Sequence, residues 1–186
     1  MKRNIVTLIA VAYLFSACGG GLMQTIAGPT PPKAPPEGMA RVFFVFPATL
    51  GGGYIVEGTK LLGQLDDMDY FVVDLPPGKH LFMAIAQNTD YVLADLAVGK
   101  TYYIRCYATP GFGATRFFMI PTKAEPGNEE KRKKRSEWFT QCKQVELVHG
   151  EVAKWEEHYK NNNESKVQAY KDGKVEAKTL GPDDGE

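Results

Sequence analysis

Tyr70-Phe71-Val72-Val73-Asp74-Leu75-Pro76-Pro77-Gly78-Lys79-His80-Leu81-Phe82-Met83-Ala84-Ile85-Ala86 is the stretch from which the fold class follows. Tyr70 to Leu75 is dense in aromatic and β-branched residues, the composition of a strand. Pro76 to Lys79 interrupts it with turn chemistry. Pro77 presets φ for the first central position of a turn, and Gly78 supplies positive φ for the second. His80 to Ala86 then returns as another strand.

The same alternation of strand and turn extends outward on both sides. Upstream, Val42 to Phe46 reads as a buried strand, and Gly51-Gly52-Gly53 breaks the chain. Tyr54 to Val56 and Leu61 to Leu65 flank the turn Glu57-Gly58-Thr59-Lys60 as a hairpin. Downstream, Tyr91 to Leu96 precedes the turn Ala97-Val98-Gly99-Lys100. Thr101 to Ala108 (TYYIRCYA) alternates Tyr102, Ile104 and Cys106 against Tyr103, Arg105 and Tyr107. Thr115 to Ile120 and Val145 to Val148 complete the set. Short strands at regular spacing argue an all-β class, an antiparallel β-sandwich with one or two short peripheral helices. The sandwich domain is expected over residues 39–160.

The peripheral helices have distinct signatures. The insertion 128–139 contains Glu129 to Phe139 (EEKRKKRSEWF), with Glu129/Lys133 and Glu130/Lys134 at favourable helical spacing. Residues 151–160 place Val152, Trp155 and Tyr159 on one face, a short amphipathic helix. Residues 161–186 are polar. Asp172-Gly173 offers a hairpin turn there, but an isolated hairpin is marginal in water, so this tail is expected to be disordered.

The beginning of the chain speaks to location. Lys2 and Arg3 precede the apolar run Ile5 to Phe15, which is too short to span a bilayer as a mature helix. Phe15-Ser16-Ala17-Cys18 resembles the lipobox of bacterial lipoproteins, with Phe15 in place of the usual aliphatic residue. The resemblance implies a signal peptide over 1–17 and lipidation of Cys18. An ordinary cleaved signal or an uncleaved anchor are the alternatives. Gly19 stands where an inner-membrane retention signal usually has Asp, which favours the outer membrane, facing the periplasm. Residues 18–38, rich in Gly and Pro, read as a tether that cannot bury enough surface to fold.

Composition narrows the partners. The chain of 186 residues carries 22 basic and 22 acidic residues, and removal of Lys2 and Arg3 would leave 20 against 22. This balance excludes the basic surplus typical of a nucleic-acid binder. With Cys18 acylated, Cys106 and Cys142 remain as an even pair in an oxidising compartment. They either form a disulfide or stay as two buried thiols.

The motifs Val73-Asp74-Leu75-Pro76-Pro77-Gly78-Lys79-His80, Asp95-Leu96 and Gly99-Lys100-Thr101-Tyr102-Tyr103-Ile104-Arg105 carry a family resemblance. With Arg41 to Phe46 before them and Val145 to Val148 after, their order is similar to the bacterial lipoproteins grouped as Domain of Unknown Function 2846, over roughly residues 40 to 150. Similar turns occur in PEGA-type and transthyretin-like sandwiches. The chain departs from the pattern in the insertion Pro121 to Thr140 and in its longer C-terminal tail. The resemblance implies a sandwich fold and an envelope location, and it brings no catalytic residues.

Candidate chemistry is sparse. Asp66, Asp67 and Asp69 share one loop, but their spacing matches no EF-hand and suits a soluble turn. His80, His149 and His158 lack the paired spacing of a zinc site, and His80, following a turn, could face solvent. Ser136 and Ser165 sit in charged surroundings without a nucleophile elbow. No catalytic residue, metal or cofactor is therefore assigned. Lys131 to Arg135 (KRKKR) could attract anionic headgroups or polymers, or form a solvated helical face. Tyr103, Arg105 and Tyr107, with Phe112 in the following loop, form the candidate binding surface, since Tyr and Arg are enriched at interaction hot spots. The same face could instead lie under one of the helices. The expected function is a lipid-anchored, non-enzymatic binding or structural module with an envelope protein or glycan as partner. The alternative is an envelope hydrolase acting around the Asp66–Asp69 loop or His80.

Overall fold

The computed structural model describes residues 21–26, 34–124 and 127–186. The expected signal peptide, Cys18 and tether residues 18–20 and 27–33 lie outside the described residues.

The chain builds a β-sandwich of two sheets. The first contains, in spatial order, β1 (Met23–Thr25), β10 (Lys143–Leu147), β5 (Asp69–Leu75), β2 (Ala40–Phe46), β8 (Thr101–Pro110) and β9 (Thr115–Thr122). The second contains β11 (Lys178–Leu180), β7 (Thr89–Leu96), β6 (Gly78–Ile85), β3 (Gly53–Glu57) and β4 (Lys60–Leu65). Antiparallel hairpins join β3 to β4, β6 to β7 and β8 to β9. Parallel pairings occur where a strand returns from the opposite sheet, as in β2 with β8 and β7 with β11, and where β10 follows β9 through the helix between them to lie beside β5.

The Pro76–Lys79 turn has a different task from the return expected of it. Strand β5 pairs with β2 and β10, whereas β6 pairs with β3 and β7, so the turn carries the chain from one sheet to the other. Gly78 takes φ +125° there, a value strained for any residue with a Cβ.

Between the sheets, Val42, Phe44, Phe46, Phe71, Tyr102, Ile104 and Phe117 meet Ile55, Leu65, Phe82, Val92 and Leu96 in one buried core. Phe44 stacks on Phe71 at 5.1 Å and meets Phe82 edge-on at 5.2 Å. Burying one such side chain contributes about 1.5–3 kcal/mol. Gly63 makes room for this core, because a Cβ there would lie 2.7 Å from the Phe71 ring.

Both outer faces are covered as well. Helix α1 (Glu129–Gln141) sets Trp138 and Phe139 against Phe43, Val45 and Tyr70 of the first sheet. Helix α2 (His149–Lys171) sets Val152, Trp155, Tyr159, Val167 and Tyr170 against Val56, Met83 and Tyr91 of the second. This explains why β2 is buried on both of its faces, with only Arg41 partly open. No described helix is long and apolar enough to cross a membrane.

Several sequence expectations are corrected. Part of the expected tether is structured, since Met23 to Thr25 pair with Val145 to Leu147 and Leu22 packs in the apolar layer under α2. Helix α2 is not confined to 151–160 but runs on through Asn161–Ser165 to Lys171. Tertiary contacts override the weak propensity of that run: Tyr91 stacks on Tyr170 at 6.2 Å and its hydroxyl donates to the Lys166 carbonyl at 3.3 Å. Asp172-Gly173 ends the helix instead of turning a hairpin, with Gly173 at φ +69°. The expected disordered tail is ordered. Leu180 is buried in the core, and the Thr101 and Glu186 backbones exchange two hydrogen bonds of 2.9 Å. The Tyr102 hydroxyl donates to the Pro182 carbonyl at 3.1 Å. These are mostly backbone and polar contacts, which leave no apolar period to read.

Cys106 and Cys142 are both buried free thiols. Cys106 faces the inter-sheet core, and Cys142 lies in the layer under α1. Sheet one separates them, which excludes the Cβ approach a disulfide requires.

The edge strands β9 and β4 have backbone groups capped by side chains. Along β9, Asn88 both donates to the Phe117 carbonyl (2.9 Å) and accepts from its N–H (2.7 Å), and Asp90 accepts from the Met119 N–H at 2.8 Å. Along β4, Glu156 of α2 accepts from the Leu61 N–H at 2.9 Å.

Candidate anion-binding groove

Helix α1 begins at Asn128, whose side chain accepts from the Lys131 N–H at 3.1 Å, with Glu129 and Glu130 in its first turn. Acidic residues there suit the positive end of the helix dipole. The helix has no continuous apolar stripe and is held by its C-terminal half. Phe139 meets Phe43 at 5.4 Å and Tyr70 at 5.1 Å, both edge-on.

Arg135 is the buried member of the KRKKR run. Its guanidinium lies 4.9 Å over the Tyr103 ring and is paired with the Glu186 carboxylate. A planar cation on an aromatic face is a favourable contact, stronger when shielded from water. Burial pushes the Tyr103 phenol above its ordinary value; the charge on Glu186 adds to this and Arg135 opposes it.

Beside this anchor a groove of about 400 Å³ opens between α1 and the β8–β9 hairpin. Arg105, Lys123, Lys131, Lys134 and Arg135 contribute cations to its walls, and Trp138 and Ile120 contribute apolar surface. Lys134 also reaches Glu130 at 3.2 Å, an exposed pair worth little in water. Arg105 is exposed and has no ion-pair partner among the described residues. Guanidinium and ammonium groups around an aromatic wall suit phosphate or carboxylate groups, and Arg adds bidentate geometry.

The four residues of the expected surface are spread along one hairpin. Tyr103 is half-covered by α1 and stacks on Phe43 at 5.4 Å. Arg105 enters the groove. Tyr107 stacks on Phe118 at 5.1 Å, outside the groove lining. Phe112 is 95 % exposed at the hairpin tip. The structure thus joins Arg105 to the basic run, and leaves Tyr107 and Phe112 apart. Lys123, Ile120 and Trp138 were not singled out from the sequence. The hairpin register, which sets Arg105 opposite Ile120, is the signal that leads to the far wall.

The other candidates are engaged elsewhere. Asp69 is buried, and its Oδ2 accepts from the Asp66 N–H at 3.1 Å, closing its own loop. Met68 in that loop adopts φ +56°. His80 is buried and does not face solvent; its Nδ1 lies 2.6 Å from Glu57 and its Nε2 2.9 Å from the Pro76 carbonyl. The ring thereby ties the β3–β4 hairpin to the inter-sheet turn. His149 and His158 lie on α2 with Ser165, and Ser136 lies on α1, donating to the Lys133 carbonyl at 2.7 Å. Among the described residues, no group of three or more His, Cys, Asp and Glu is placed to hold a metal ion. Comparison with protein-family models, curated proteins and solved structures finds no match to the chain.

Proposed function

We propose that this chain is a lipid-anchored bacterial envelope protein whose sandwich binds acidic envelope polymer through the groove between α1 and the β8–β9 hairpin, without catalysing a reaction. The observation that carries the binding reading is the convergence of Arg105, Lys123, Lys131 and Lys134 from separate elements beside Trp138. A chain of balanced overall charge has no general attraction for polyanions, so affinity must come from such local clustering. The envelope reading is supported by the basic, apolar and small-residue order of Met1 to Cys18 and by the family resemblance. More than one acyl chain on Cys18 would hold the protein firmly at a bilayer.

The anchor is tested by palmitate labelling of the full chain and of Cys18→Ala; the label should enter the first and be absent from the second. The groove is tested by titrating polygalacturonate, a carboxylated glycan, and following Trp138. Affinity should fall tenfold or more in Arg105→Glu/Lys134→Glu. It should also fall steeply with salt, as the screening length shortens from about 10 Å at 0.1 M to about 3 Å at 1 M. Binding that ignores both charge reversal and salt would remove the groove from the account.

A further inference from the structure

Strand β1 leaves little chain between the sandwich and Cys18. The Leu22 carbonyl accepts from the Val148 N–H at 2.8 Å, and Met23 pairs with Leu147. Cys18 stands four residues upstream of Leu22. An extended chain covers at most about 3.6 Å per residue, so Cys18 lies within about 14 Å of Leu22 whatever path the intervening residues take. An acyl group on Cys18 would therefore hold the bilayer against the sandwich, not tens of ångströms from it.

The topology says which end is held. Strand β5 runs toward the Pro76–Lys79 turn, β10 runs parallel to it, and β1 runs antiparallel to β10. The chain thus enters β1 from the end of the sandwich that carries this turn. Gly78 and Leu96 are partners in register, which puts the turn Ala97–Lys100 at the same end. A third turn joins them there: the Pro36 carbonyl accepts from Met39, and the Met39 carbonyl accepts from Gly99 at 2.8 Å. Phe112 sits at the other end, because the ten residues of β8 separate it from Val98, about 30 Å at strand rise.

The three turns make a surface suited to a lipid interface. Pro36, Pro76 and Pro77 are exposed, and Val98 is 58 % exposed. Their exposed charges are Lys79 and Glu37, one of each sign. Lys100 donates to the Gly185 carbonyl at 3.1 Å, and Arg41 pairs with Asp74 at 2.7 Å behind the turns. The flank beside β1 is different, since it exposes Lys143, Glu146, Lys154 and Glu157, which would have to shed water against lipid.

We propose that the end formed by residues 36–39, 76–79 and 97–100 rests on the phospholipid headgroup layer, held there by the short link to Cys18. This rests on the anchor reading above. Val98 and the prolines meet the boundary between headgroups and acyl chains, and Lys79 reaches headgroup phosphates. The Phe112 tip of the β8–β9 hairpin then points away from the bilayer, free to meet partners in the envelope.

The test uses the full chain, acylated in cells and reconstituted in phosphatidylcholine vesicles carrying a spin-labelled headgroup. Lys79→Cys, Val98→Cys and Phe112→Cys each receive a fluorophore, the native Cys106 and Cys142 thiols being buried. Quenching should be strong at positions 79 and 98 and roughly tenfold weaker at 112, which lies about 30 Å farther along the strand direction. A flexible insert of about twenty Gly and Ser residues after Gly19, with an r.m.s. span of roughly 25 Å, should cut the quenching at 79 and 98 several-fold while the protein stays on the vesicles. Equal quenching at the three positions, strongest quenching at 112, or an insert without effect would overturn the orientation and leave the anchor standing. A chain that takes up no palmitate and does not join the vesicles would remove the anchor, and the orientation with it.

Discussion

Asp69 sits buried at the start of β5 with the Lys143 ammonium 3.4 Å from one oxygen. Burial raises its pKa, and the Asp66 amide and Lys143 only partly oppose this. The folded chain therefore holds this proton more tightly than the unfolded chain does. Its ionisation costs stability as pH rises from the ordinary carboxylate value through the raised one, and the cost is fully present above that. Asp69→Asn, which keeps an oxygen for the Asp66 N–H, should accordingly raise the melting temperature at pH 7, and this gain should vanish in acid; an unchanged difference across pH would contradict the assignment. The thiols give a second check. Burial, helped by nearby Asp69, pushes Cys142 up to about 11, and burial raises Cys106 further. Since the thiolate is the nucleophile, neither should take up iodoacetamide at pH 8 in the folded protein, and both should in denaturant, as read by mass spectrometry. The period of two in TYYIRCYA already grouped Cys106 with Tyr102 and Ile104 on one strand face, which the structure turns to the core. The position of Cys142 was not legible, because it depends on how α1 docks. Likewise Arg105 was visible as an outward cation, but its neighbours Lys131 and Lys134 come from a helix whose placement no local pattern encodes.

Strands were the readable elements, because turn chemistry brackets nearly every one. The hairpin at Gly58 and the strand limits around Tyr70–Leu75 needed only alternation and a positive-φ glycine. The inter-sheet role of Pro76–Lys79 was not readable, since a turn sequence is the same whether or not its flanking strands pair. Helix α2 was half legible: Val152, Trp155 and Tyr159 announced it, and the polar run after Lys160 hid the rest. Trp155→Ala should cost about 3–5 kcal/mol by analogy with other large-to-small core changes, measured by urea denaturation. The C-terminal strand makes a sharper case, because composition argued against any structure there. Leu180→Ala should cost about 2–4 kcal/mol, since this side chain is 1 % exposed in the inter-sheet core. A value near zero would mean that the segment is not packed as described.

At the scale of the molecule, two sheets are each covered on the outside by one helix, and each helix borders a cavity. The sheets follow from the sequence because apolar residues on both parities of β2 demand burial on both sides. The pairing of particular helices with particular sheets does not, since it rests on contacts between residues far apart in the chain. The rims provide the molecular-scale prediction. Asn88→Ala/Asp90→Ala strips β9 of its side-chain partners and leaves the Phe117 and Met119 amides open. Bare strand edges recruit other chains, so this variant should show concentration-dependent association in sedimentation, which the parent should not.

Proteins confined to a surface meet one another far more often than the same number of molecules in free solution. For a sheet protein in such a crowd, every unguarded border is an invitation to fibrous growth. By spending Asn88, Asp90 and Glu156 on its own perimeter, this chain would, if tethered to a bilayer as proposed, tolerate dense packing with lateral mobility, each copy sliding past its neighbours without zipping to them.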